Sequence, residues 1–245
     1  MTKHALVLSM ILVSLLGWAQ PKPIEIHDEL VPRTAGPKMV ALTLDACSGK
    51  FDDDLIEFLI RNRIPATIFA TKIWLDHNPF GVSVIKAHLD LFDVEDHGEN
   101  HIPAVIGAGR KVYGIAGEPD LIHLRREVTA GARAIVATIG VAPHWYRGAT
   151  AEYDAEAIGE IKKLGYRIAG FSVNADAGAT LKRDAIVESL RHVRSGDVII
   201  AHVNKPASDS AEGLSAGLAR MLGEGFVFVR LDQVNLREVS KTADR

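Results

Sequence analysis

Met39-Val40-Ala41-Leu42-Thr43-Leu44-Asp45-Ala46-Cys47-Ser48-Gly49 is the stretch on which the reading of the chain turns. Residues 39–44 form a short apolar run of strand length, and it ends abruptly in a carboxylate followed by small residues. Residues 52–63 then place Leu55, Ile56, Leu59 and Ile60 on one stripe, the period of an amphipathic helix. Asp52, Asp53 and Asp54 fall where that helix begins. Negative charge is favoured there by the helix dipole, so the run reads as a helix start and not as a metal cluster.

Strand followed by helix is the pattern of the whole chain. Strands are expected at 66–70, at 91–94, weakly up to Tyr146, and at 166–173, 197–201 and 226–229. Between them helices are expected at 82–89, from Pro119 to about residue 139, at 153–164 closed by Gly165, at 184–194 and at 209–223. Seven strands alternating with six helices imply a parallel sheet, because each return crossover needs a helix. The pattern alone does not separate an open doubly wound sheet from a barrel-like closure.

The ends and the composition bound the rest. Met1–His4 are a short basic start, residues 5–16 are almost all apolar, and Gly17-Trp18-Ala19 offers a small-x-small site. Residues 1–19 therefore read as a secretory signal cut after Ala19, with an uncleaved anchor as the alternative. Its apolar core falls short of the roughly 20 residues of a membrane span, and no later segment is long and uniform enough to be one. The expected location is secreted or periplasmic. Pro21, Pro23, Pro32 and Pro37 make residues 20–37 an extended lead-in, leaving 38–245 as one domain without a linker or a repeat. A composition 47% apolar and 24% charged argues against disorder. A net charge of −3 and a pI of about 6.4 leave no basic field for a nucleic acid. The single cysteine, Cys47, excludes an internal disulfide and a multi-cysteine zinc cluster.

The unusual polar residues share one register. Asp45 follows strand one, His97 and His101 follow strand three, and Arg147 follows strand four. Asp176 and His202 follow strands five and six. In parallel α/β folds the carboxyl ends of the strands open onto one face, where such residues converge. The H-x-x-x-H spacing of His97 and His101 suits two imidazoles sharing a divalent cation, although two surface histidines would read the same way. Asp45 reads either as a partly desolvated carboxylate or as a turn cap. Arg147 can orient that carboxylate or bind an anionic group. Asp176 can hydrogen-bond His202 and keep it cationic. Cys47 with His202 or His97 would make a nucleophile and base. A serine nucleophile is disfavoured, since there is no G-x-S-x-G elbow.

Asp45, His97-x-x-x-His101, Arg147, Asp176 and Ile200-Ala201-His202, in that order, resemble the motifs of the polysaccharide deacetylase (NodB homology) family, carbohydrate esterase family 4. The resemblance spans roughly residues 38–231. It implies a distorted (β/α)7 barrel and removal of N- or O-acetyl groups from a poly- or oligosaccharide with a divalent metal. By the same match Asp45 is the base, His202 the acid, Arg147 the residue that orients the base, and His97 and His101 metal ligands. Asp176 falls near the first aspartate of the family's fourth motif. The chain departs from the pattern at Ala46, where the family carries its third ligand, and at Cys47, Gly98, Ala149-Thr150 and Ala179-Thr180. Asp45 or a Cys47 thiolate is left to complete the metal site, and a thiolate favours zinc, with cobalt or nickel as alternatives. The competing expectation is a catalytically silent relative that binds glycan in the same cleft. The polar stretch between His101 and Pro119 is expected to shape substrate choice.

Overall fold

The computed structural model describes residues 21–32 and 35–239. The proposed signal segment, residues 1–19, lies outside the described residues. Eight strands form one parallel sheet: β1 (Lys38–Ala46), β2 (Ala66–Ala70), β3 (Phe92–Asp96), β4 (Trp145–Tyr146), β5 (Arg167–Ile168), β6 (Val173–Asn174), β7 (Val198–His202) and β8 (Phe226–Val229). Their order is β5-β4-β3-β2-β1-β7-β6. β8 pairs with residues 38–41 of β1, on the edge whose upper half, residues 43–46, pairs with β2. Seven helices connect the strands among the described residues: α1 (Asp53–Arg61), α2 (Lys72–His77), α3 (Pro79–Ala87), α4 (Leu121–Thr138), α5 (Ala155–Lys163), α6 (Arg183–Arg191) and α7 (Ser210–Gly223). No described helix is long and apolar enough to cross a membrane.

This is a curled, distorted (β/α)7-type barrel, and the strand expected at 166–173 shows how it curls. That stretch is not one strand. Its start, β5, pairs with β4, and its end, β6, pairs with β7 at the opposite edge of the sheet. The intervening residues bridge the two edges, so the backbone there cannot hold one ladder. A helix absent from the expected pattern, α2, precedes α3, and α3 itself begins at Pro79, three residues before the expected start. Thr71 caps α2 by accepting from the Trp74 amide at 3.0 Å. Six residues are too few to show a periodicity, which is why the pattern missed it. α4 begins at Leu121, two residues after the expected start at Pro119, with Asp120 as its cap.

Alternation along β1 divides the interior. Leu42, Leu44 and Ala46 face outward into the core beneath the helices, with Leu55, Leu59, Leu214 and Leu218. Ala41 belongs to a second cluster with Phe69, Trp145, Ile200 and Val229, and Thr43 and Asp45 share its side of the strand. Residues 21–32 of the proposed lead-in are built into the fold. Ile24–Glu25 pairs with Ala149–Tyr153, and Asp28–Leu30 pairs with Leu236–Glu238. The Asp28 carboxylate also accepts from the Gly170 amide at 2.7 Å, beside the bridge between β5 and β6.

Candidate active site

At the carboxyl end of the sheet the strand register itself sets the first pair. Asp45 and His202 are direct partners on β1 and β7. Asp45 is the penultimate residue of its strand and His202 the last of its own, so both leave the sheet at the rim. Residues 43, 45 and 47 follow the period of two, which returns Cys47 to the side of Asp45 while Ala46 turns into the outer core. A longer polar group at 46 would enter that apolar layer.

Arg147, one residue beyond β4, has no exposed surface. Its guanidinium donates to Asp45 Oδ1 at 2.9 Å, Thr43 Oγ1 at 2.8 Å and the Ala169 and Gly170 carbonyls at 3.2 and 3.1 Å. It also lies 4.3 Å from the centre of the Phe69 ring. Burial alone would raise the Asp45 carboxyl. The Arg147 charge, with His97 and His202, outweighs that and holds the group below its ordinary value. Asp45 is therefore a fixed anion with one oxygen committed to Arg147. Its other oxygen is 3.8 Å from His97 Nε2.

The H-x-x-x-H segment is a loop, not a helical turn. His97 Nδ1 donates to the Arg147 carbonyl at 2.6 Å, which fixes the ring's orientation and leaves Nε2 facing Cys47 Sγ at 3.5 Å. The His97 and His101 rings are 5.0 Å apart. The ligand atoms of Cys47, His97 and His101 all lie within 4.8 Å of one another, the one such group of three or more metal-ligating side chains among the described residues. Burial opposes ionisation of the Cys47 thiol, but the His97 charge and hydrogen bonds to His101, His202 and His97 bring it well below its usual range. A soft thiolate beside two imidazoles is a donor set suited to zinc. Of the two candidates for a third ligand, the geometry sets Cys47 in this group and Asp45 against Arg147.

On the other flank, Asp176 Oδ1 accepts from His202 Nδ1 at 2.8 Å. Asp176 Oδ2 accepts from the His202 amide at 3.0 Å and from Ser210 Oγ, at the start of α7, at 2.9 Å. Burial works against a charged imidazole. The Asp176 hydrogen bond and charge nevertheless raise His202 well above its ordinary value, so it carries a proton. Ala177 and Ala179 flank Gly178 at positive φ, so the backbone after Asp176 takes a left-handed turn that L side chains rarely adopt.

The sheet rim thus gathers all seven residues singled out by sequence: Asp45, Cys47, His97, His101, Arg147, Asp176 and His202. Sequence reasoning missed the residues that hold them. Thr71 donates from Oγ1 to the Cys47 carbonyl, and Asn78 accepts from the Phe51 amide and donates to the Gly49 carbonyl. Tyr153 accepts from the Gly148 amide at 2.8 Å, and Glu127 accepts from the amides of Asn100 and Ile102. A Thr, Asn, Tyr or Glu within or beside an ordinary helix or strand carries no signal of such a role.

The family described as polysaccharide deacetylase matches residues 33–169. The chain belongs to the polysaccharide deacetylase family. Among solved structures it is similar to a CE4 family pseudoenzyme from Bacillus anthracis, at 17% identity over 81% of this chain and 65% of the other, with a TM-score of 0.64. A mutant of that pseudoenzyme, described as having restored enzymatic activity, matches at 18% identity and the same TM-score, over 81% of this chain and 67% of the other. A peptidoglycan N-acetylglucosamine deacetylase aligns at 18% identity over 84% of this chain and 90% of its own, with a TM-score of 0.68. A family 4 acetyl xylan esterase from Clostridium thermocellum, solved with a cobalt ion, aligns at 17% identity over 80% and 89%, with a TM-score of 0.64. No curated protein matches the chain. At these identities the structural likeness speaks for the deacetylase fold, and the family match for membership.

Proposed function

We propose that this member of the family is a metal-dependent carbohydrate deacetylase acting outside the cytoplasm, hydrolysing N- or O-acetyl groups of a poly- or oligosaccharide. The observation that carries the reading is the placement of a fixed anion, Asp45, and a protonated histidine, His202, on neighbouring strands around the Cys47–His97–His101 group. The pattern at residues 1–19 supports export. The cobalt-bound esterase among the similar structures supports a divalent metal, and the thiolate donor favours zinc.

A cation held by Cys47, His97 and His101 would supply Lewis-acid polarisation of the acetyl carbonyl. Asp45 takes the proton of the attacking water as the new C–O bond forms. Arg147 keeps that carboxylate oriented through Oδ1. As the C–N or C–O bond to the sugar breaks, His202 donates its Nε2 proton to the leaving atom, with Nδ1–H held by Asp176. The proton lost by water and the proton gained by the sugar balance, and acetate is released.

A silent glycan-binding relative is the second reading, favoured by Ala46 and by the pseudoenzyme among the similar structures. Against it stands the intact His202–Asp176 pair, since a binder has no use for a proton donor. The chain loaded with zinc or cobalt is expected to release acetate from acetylated chitooligosaccharides or an O-acetylated sugar, and His97→Ala is expected to abolish that release. No acetate with any metal, together with glycan binding unaffected by His97→Ala, would favour the silent relative.

A further inference from the structure

The loop that carries both metal-site histidines is held from two sides. On one side the first-turn amides of α2 donate into it, Lys72 to the Gly98 carbonyl at 2.9 Å and Ile73 to the Glu99 carbonyl at 3.2 Å. On the other lies α4. There one oxygen of the buried Glu127, Oε1, accepts from the Asn100 amide at 2.8 Å and the Ile102 amide at 3.2 Å. Its other oxygen is 3.4 Å from the Asn100 side-chain nitrogen. The two amides bracket His101, whose backbone sits at φ 61°, the left-handed region that residues with a Cβ rarely occupy. A single carboxylate oxygen therefore ties down both peptide groups around a strained ligand residue.

Two glycines make room for this arrangement. Gly131, one turn after Glu127 on α4, faces the loop so closely that a Cβ there would lie 2.3 Å from Asp96 Oδ1 and 2.6 Å from the Gly98 backbone carbon. At Gly98, itself at φ +92°, a Cβ would meet Glu127 Oε1 at 2.5 Å. The absence of a side chain at 98, one of the departures noted above, is thus matched to the carboxylate from α4.

We infer that Glu127 is a positioning residue for the metal site, one that presets the backbone of His101 for coordination by bracketing it with hydrogen bonds. The inference rests on the proposed Cys47–His97–His101 centre. Its mechanism is reach, not charge: the oxygen must arrive between the two amides. Two substitutions separate these. Glu127→Gln keeps an oxygen at the same distance and removes the charge, whereas Glu127→Asp keeps the charge and withdraws the oxygen.

Zinc affinity of the full chain is measured by competition with a chromophoric chelator, and amide hydrogen exchange is followed in the metal-free protein. Glu127→Asp is expected to weaken zinc binding at least about tenfold, the scale of an outer-shell loss, and to speed exchange at Asn100 and Ile102. Glu127→Gln is expected to stay within about threefold of the wild type with both amides still protected. Equal zinc affinity in all three proteins, or weaker binding by the glutamine variant than by the aspartate one, would overturn the inference. Wild-type protein that takes up no zinc would instead overturn the metal centre, and the role of Glu127 with it.

Discussion

Asp45 and Glu95 are both carboxylates on central strands of one barrel, both almost fully buried, and they are treated in opposite ways. Asp45 has a guanidinium at 2.9 Å and stays ionised. Glu95 accepts from the His144 and Trp145 amides, but burial and the neighbouring Asp93 push it up to about 8, and Asp93 itself rises to about 6. Burial raises both groups, and what differs is the buried cation. The register sets both in one row of the sheet, Asp45 beside Phe69 and Phe69 beside Glu95, so depth does not separate them: Arg147 holds the charge on Asp45, while Glu95, without a buried cation, keeps a proton.

The largest way to break that contrast is Arg147→Leu. It strands Asp45, Thr43 and two carbonyls, and removing one partner of a buried pair costs about 3–5 kcal/mol. A fall in melting temperature of roughly 10 °C is expected by calorimetry, with loss of activity. Adding Asp45→Leu is expected to recover part of the stability and none of the activity. If Arg147→Leu melts like the wild type, the pair does not hold the rim.

Next in size is the acid. His202→Ala is expected to lower kcat by about 10²–10⁴-fold, read by acetate release. Asp176→Asn leaves the imidazole in place but weakens its hold on the proton. Because His202 must be protonated to act, the alkaline limb of the pH–rate profile is expected to move to lower pH. An unmoved limb would detach Asp176 from that role.

Cys47→Ala is expected to weaken zinc binding by more than the tenfold typical of an outer-shell loss, as measured by chelator competition. The smallest effect is expected from Glu95→Gln. A carboxyl raised in the folded state binds its proton more tightly there than when unfolded. Stability therefore falls as pH rises from the ordinary carboxyl range toward about 8, by at most about 1.4 kcal/mol per pH unit. Melting curves between pH 5 and 8.5 should slope downward in the wild type and be flatter in Glu95→Gln; a wild-type curve that rises over this range would contradict the pairing.

Much of this was legible from the chain because strand ends are legible. An apolar run that stops at a charged residue marks the rim, and five such stops brought Asp45, His97, Arg147, Asp176 and His202 to one face. Residues 166–173 misled because an apolar run does not reveal that its two ends pair with different neighbours. The role of α4 was hidden for another reason. Glu127 and Gly131 sit in a helix whose polar residues mostly face water, and only the approach of the 97–102 loop distinguishes them. The choice between Asp45 and Cys47 was open in sequence, because alternation puts both on one side of the strand; only the partners differ, Arg147 for Asp45 and the two imidazoles for Cys47.

The most direct test of the account is X-ray absorption at the zinc edge on the purified, zinc-loaded chain. One sulfur at about 2.3 Å with two imidazole nitrogens near 2.0 Å is the predicted shell, the sulfur vanishing in Cys47→Ala. A shell of nitrogen and oxygen alone in the wild type would contradict it.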